Sequence, residues 1–177
     1  MANYKVLPQL GFGEAVKLAS SRLSDFKGRS RRSEFWWWML VVLVGNFILS
    51  SFVADLLVGG LVSIVVMFTA LSITVRRLHD TGRSGVWVYI SYVLGAIGQI
   101  VTGTSSVMAE YMNIASSGNV DRLMAFCEDN AGDFIMIVLL GLVWLLSCLI
   151  VFIMVLMDGN LEPNKYGSSP KYVLEAE

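Results

Sequence analysis

Long apolar runs that end in short polar motifs constrain this chain more than any other feature. Residues 36–54 hold no charged side chain. As a helix they would extend about 28 Å, close to the roughly 30 Å of a bilayer's hydrocarbon layer. Similar runs follow at about 60–76, 86–103 and 134–157. The motifs are FKGRSRRSEFW at 26–36, RRLHDTGRSG at 76–85 and DGNLEPNKYGSSP at 158–170. Only 15% of the 177 residues are charged, where soluble domains carry about 25%. The reading is an all-α integral membrane protein, a single membrane domain over 1–177 with four transmembrane helices. Asp55 interrupts the apolar sequence, so 55–60 is read as a tight hairpin and the second span as starting at Gly60 or Leu61.

Sidedness follows from the cations. Twelve of the 13 lysines and arginines lie in residues 1–35, in the 76–85 motif or beyond residue 157. The 105–133 stretch holds Arg122 alone against Glu110, Asp121, Glu128, Asp129 and Asp133. The positive-inside rule then places both termini and the tail 158–177 in the cytoplasm, and 105–133 outside as a short helical insert. Residues 1–25 lack the apolar core of a cleavable signal, so the first span is expected to serve as the targeting element. Cys127 and Cys148 fall at different depths and are read as free thiols. Nothing has metal-ligand spacing, and no cofactor is implied.

Residues 10–27 read as an amphipathic interfacial helix. Phe12, Val16, Ala19, Leu23 and Phe26 share one face, and Glu14, Lys17, Ser21, Ser24 and Asp25 the other. It lies on the leaflet or docks on the bundle end. Gly28 is its expected terminator, and Gly82 ends the second span in the left-handed conformation. Ser84 caps the third span, Gly85 completes that turn, and Gly159 and Gly167 shape the tail. Ser91 and Gly95 form a small-residue notch for a close helix neighbour. In the insert, Val107, Met108, Tyr111 and Ala115, then Val120, Leu123, Met124 and Cys127, recur at helical spacing and suggest two short amphipathic helices.

The candidate site is a polar layer of Arg29, Arg31, Arg32, Arg76, Arg77, His79, Asp80, Arg83, Asp158, Asn164 and Tyr166. Two uses compete. Guanidinium forks bind phosphate oxygens, and the Gly-Arg-Ser-Gly turn can cradle an anion, which would make the layer a lipid-headgroup site. Alternatively Asp80, Asp158, Glu162 or Asn164 pairs with the arginines and ties the segments together, since interfacial charge is costly to desolvate alone. His79 titrates near neutral pH and is a candidate switch.

At these motifs the chain resembles the family called domain of unknown function 805, small bacterial inner-membrane proteins. The matching positions are Gly28, Arg29, Arg31, Arg32, Glu34, Phe35 and Trp36; then Arg77, Leu78, His79, Asp80, Gly82, Ser84 and Gly85; then Asn164, Tyr166, Gly167 and Pro170. The resemblance covers roughly 26–170 and implies a multi-span helical fold in the bacterial cytoplasmic membrane, with no activity to carry over. One tryptophan, Trp87, stands where members commonly have a pair. Ser169 replaces an acid before the last proline, and the 105–133 insert is an elaboration.

The leading functional reading is a non-enzymatic scaffold, binding or lipid-sensing component. Its partners would be the bilayer, anionic phospholipid headgroups, further copies of the chain or an unidentified protein. The alternative is an oligomeric transporter or channel subunit, although Asn46, Asp55 and Gln99 are the only strong polar groups in or near spans. A lipid- or phosphate-acting enzyme ranks third: His79 and Asp80 are adjacent and point about 100° apart on a helix. A nucleic-acid partner is not expected at a net charge of −1.

Overall fold

The structure is a computed structural model. It describes residues 3–52 and 56–174, with the side chains of residues 50, 56–64 and 67 outside the description. In chain order the described elements are β1 (Tyr4–Val6), α1 (Phe12–Ser20), α2 (Arg32–Phe52), α3 (Leu56–Asp80), α4 (Val86–Thr104), α5 (Ser106–Ser116), α6 (Val120–Asp129), α7 (Ala131–Leu156) and β2 (Tyr172–Leu174). They fall into two compact units, one of Met1–Val88 with Phe152–Glu177 and one of Tyr89–Val151.

In the first unit, α1 packs on α2 and α2 on α3. Glu14 opens α1 by accepting the Gly11 N–H at 3.3 Å. The helix stops at Ser20, where the Ser20 and Ser21 hydroxyls donate to the Lys17 and Leu18 carbonyls. Such local side-chain bonds compete with helix continuation. The expected 10–27 helix is therefore corrected to nine residues, with Leu23 and Phe26 beyond it. Its buried residues are Ala15 and Ala19, while Phe12 is half-exposed and meets the Trp37 ring edge-on at 5.4 Å. Helix α1 docks through its two alanines because they let the backbones approach closely.

Helix α3 is longer than expected, 25 residues running through Gly59 and Gly60. Residues 53–55, where the expected hairpin begins, lie outside the described residues. At its other end α3 continues through Arg76–Asp80 and closes in the manner expected of Gly82, at φ +75°. The Gly82 N–H bonds the His79 carbonyl at 3.0 Å and the Arg83 N–H bonds Leu78 at 3.0 Å, a Schellman motif. Trp38 ties α2 to α3, its Nε1–H donating to the Thr69 carbonyl at 3.1 Å. One feature departs from the all-helical expectation. Strands β1 and β2 pair antiparallel, Tyr4 opposite Leu174, so the two chain ends zip together.

In the second unit the two expected short helices of the insert are α5 and α6. The Ser105 hydroxyl accepts the Met108 N–H at 3.3 Å, and the Asn119 side chain accepts the Arg122 N–H at 3.0 Å. Tyr111 and Phe126 pack edge-on against Phe134, at 5.5 and 6.4 Å. The notch at Gly95 takes an indole: an added Cβ would stand 2.9 Å from Trp144 Nε1. Helices α4 and α7, of 19 and 26 residues, are long and apolar enough to cross a membrane. Leu139, Leu142 and Leu146 of α7 point outward, exposed.

Candidate functional site

The last turns of α3 and α7 create a need that the motifs meet. The final four carbonyls of a helix have no partner within it. Near an apolar medium, orphaned carbonyls are costly. For α7 the donors are arginines from other helices. Arg77 Nε donates to the Val155 carbonyl at 3.1 Å and Arg77 Nη2 to that of Met157. Arg32 Nη2 donates to the Leu156 carbonyl. Guanidinium charge at a helix C-terminus also opposes the negative end of the dipole.

Asp80 holds the centre. Its Oδ1 accepts Arg29 Nε at 2.8 Å and its Oδ2 accepts Arg77 Nη1 at 2.5 Å, and all three side chains are buried. Burial pushes the Asp80 carboxyl above its ordinary value, and Arg77 and Arg29 pull it back. Arg29 then uses its remaining donors on carbonyls of the tail. Nη1 reaches Glu162 at 3.0 Å and Gly167 at 3.3 Å, while Nη2 reaches Asn160 at 2.5 Å and Asp80 at 3.3 Å. The Asn160 N–H returns to the Asp80 carbonyl at 2.8 Å. A Cβ at Gly159 would overlap the Asp80 carboxylate, which explains glycine there.

A second buried pair lies beside the first. Arg76 and Glu34 meet at 3.4 Å with both side chains fully enclosed. Arg76 also donates to the Ser30 hydroxyl at 3.0 Å and to the carbonyls of Arg22 and Asp25, at 2.7 and 2.5 Å. The segment between α1 and α2 is thereby wrapped around α3. The Lys27 N–H bonds Asp25 at 2.9 Å and, with Arg22, holds that carboxyl below its ordinary value.

His79 faces the tail. Its ring stacks on Tyr166 at 3.7 Å between centroids and 5° between planes. Nδ1 lies 3.2 Å from the Gly28 carbonyl, which can only accept, so Nδ1 carries a proton. Burial holds the imidazole below its usual 6.5, the Gly28 bond opposes this, and Lys165 adds to it. Asn164 Nδ2 donates to the His79 carbonyl at 2.9 Å, and its Oδ1 accepts the Tyr166 N–H at 2.9 Å.

The predicted layer is thus largely one network in the first unit. Arg29, Arg32, Arg77, His79, Asp80, Asp158, Asn164 and Tyr166 come together. Asp158 pairs with Arg32 at 3.0 Å and Lys171 at 3.6 Å, in an exposed position. Arg31 departs from the others, donating to the Pro8 and Leu7 carbonyls at 2.7 and 3.3 Å. The Arg83 side chain is half-buried and makes no hydrogen bond or ion pair among the described residues. Glu162 contributes only its carbonyl. Gly28, at φ +80°, does not end α1; it shapes a later turn that presents its carbonyl to His79. Ser84 does cap α4, accepting the Val86 N–H at 3.3 Å, and Gly85 leaves room for Val75. Gly167, at φ +124°, closes the tail hairpin with Asn164.

Glu34, Ser30 and Asn160 are members that sequence reasoning did not place in the layer. Glu34 carried a signal, since an acid among four cations at the mouth of an apolar run needs a partner. Chemically, the buried guanidiniums are committed to carboxylates and carbonyls of this chain. The Gly82 and Arg83 amides are committed to α3. His79 and Asp80 engage different partners and form no acid–base pair. Among the described residues, no three histidine, cysteine or acidic side chains cluster as metal ligands would.

The chain is 33% identical over 75 residues to the uncharacterized protein YiiR of Escherichia coli strain K12, over 40% of this chain and 51% of that protein. It is likewise 33% identical over 75 residues to the inner membrane protein YhaI of the same strain, over 38% of this chain and 62% of that one. The chain thus spans about half the length of the first relative and under two thirds of the second. No solved structure matches it significantly. The profile described as protein of unknown function (DUF805) matches residues 23–168, which span all three motifs and the buried pairs. This chain belongs to the DUF805 family.

Proposed function

We propose that this protein is a non-enzymatic scaffold or binding component of the bacterial inner membrane, crossing it four times with both termini in the cytoplasm. In this reading the arginine layer is a structural lock. The observation that carries it is the commitment of buried Arg29, Arg76 and Arg77 to the chain's own carboxylates and helix-end carbonyls. A phosphate group arriving there would have to displace several bonds at once. Support for the location comes from the outward apolar faces of α4 and α7, and from a relative named as an inner membrane protein. Helices α2 and α3, of 21 and 25 residues, supply the other two spans. The cation asymmetry supplies the sidedness. Contact with anionic headgroups then falls to the cations outside the lock, Lys27, Arg83 and Lys165.

Compartment reporters fused after residue 177 and inserted in the 116–119 turn test the topology. The expected result is a cytoplasmic tail and a periplasmic insert; both reporters active in one compartment would end this reading. Native mass spectrometry with phosphatidylglycerol tests the lock. Bound lipid lost on Arg29→Lys, with folding intact, would make the layer a headgroup site instead.

A further inference from the structure

Asn46 is the one strongly polar residue between Trp36 and Phe52 besides the serines near the far end of α2. It lies ten residues from Trp36, about 15 Å along the helix, which is the midplane of a bilayer of ordinary thickness. Its side chain is exposed, and no hydrogen bond reaches it among the described residues. Leu43 and Leu49, three residues to either side, are also exposed, at 63% and 41%. A carboxamide surrounded by hydrocarbon forfeits the bonds it would make in water. Lipid tails offer nothing in return. A second asparagine does, because the amide has two donors and an acceptor and is complementary to itself.

We infer that α2 is an interface between two copies of this chain, with Leu43, Asn46 and Leu49 of each helix facing their counterparts across a two-fold axis. A two-fold axis brings the same residue of each copy face to face, which is the arrangement a self-complementary side chain requires. Polar side chains at such positions hold transmembrane helices together by interhelical hydrogen bonds. Leu43 and Leu49 of both helices then pack to either side of the amide pair. The inference rests on α2 crossing the bilayer as proposed above.

The test uses the full chain in phosphatidylethanolamine–phosphatidylglycerol vesicles, with self-association followed by energy transfer between labelled copies. Asn46→Leu is expected to weaken association about tenfold, the order of one interhelical amide bond, and Asn46→Gln to retain most of it. In a Cys127→Ser, Cys148→Ser background, Leu43→Cys is expected to cross-link to itself. A wild-type chain that stays monomeric at high protein-to-lipid ratio, or association unchanged by Asn46→Leu, overturns the interface. Asn46→Cys in the same background separates the two failures. If a membrane-impermeant maleimide labels it in intact vesicles, α2 does not span; if it is protected while the wild-type chain is monomeric, only the interface fails.

Discussion

Helices α3 and α7 are nearly equal in length and opposite in character. From Ala70 to Thr81 every residue along the end of α3 is buried, and seven of those twelve are polar or charged. From Phe134 to Leu156 α7 has no charged residue, and most of its large side chains face outward, at 40–69% exposure. A water-soluble domain would reverse both choices, because water rewards exposed charge and penalises exposed leucine. Here the polar helix end is enclosed by protein and the apolar helix is offered to its surroundings. The contrast implies different solvents for the two segments. In the proposed reading the medium around α7 is hydrocarbon, where outward leucine costs nothing. Around the α3 end neither bulk water nor lipid satisfies the polar groups, so the chain's own carbonyls and carboxylates must.

The contrast can be broken most directly at Asp80. Removing one member of a buried ion pair strands the other charge. Asp80 serves two guanidiniums, so Asp80→Ala is expected to destabilise the protein by about 3–5 kcal/mol, read as thermal unfolding in detergent. Unchanged melting would mean that the layer is not a lock. The opposite change belongs on α7. Leu142 is exposed near the helix centre, and Leu142→Lys is expected to cost about 2.5–3.5 kcal/mol of insertion free energy, read as the fraction integrated into membranes. Full integration would mean that this face does not meet lipid. The same lysine would be unremarkable on a water-facing helix, so this substitution distinguishes the two solvents.

The smallest effect sharpens the first region. His79 has a folded value below its unfolded 6.5. Folding therefore favours the neutral ring, and this contribution is present above pH 6.5. It is lost as the pH falls through the folded value. The melting temperature of the wild type is expected to drop on acidification below pH 6.5 more steeply than that of His79→Gln. Parallel curves would show that the Tyr166 stack and the Gly28 bond tolerate the imidazolium.

Much of this arrangement was legible residue by residue. Gly82 read correctly as a left-handed terminator because only a residue without a Cβ accepts φ +75° cheaply. Ser84 read as a cap and the 105–133 stretch as two helices, because capping and periodicity are local signals. Asp80 read as an arginine partner because an acid at an apolar boundary must be compensated. The misreadings also share a cause. Intrinsic preference alone points to Gly28 as the end of α1 and to Gly59 and Gly60 as a turn. Helix α3 runs through both glycines, and the serines of α1 stop that helix early. The β1–β2 ribbon joins residues about 170 apart and left no local trace.

By itself the sequence determined the apolar lengths, the sign asymmetry of the loops and the positions of the polar motifs. All three depend only on side-chain chemistry and on distance along the chain. Tertiary structure decided which group each arginine meets. Arg29 finds Asp80 and the tail carbonyls, Arg76 finds Glu34, Arg31 finds the segment before α1, and Arg83 stays half-buried. A guanidinium can donate to any carboxylate or carbonyl within reach. Only the packing of helix ends, by setting what lies within about 3 Å, selects among them.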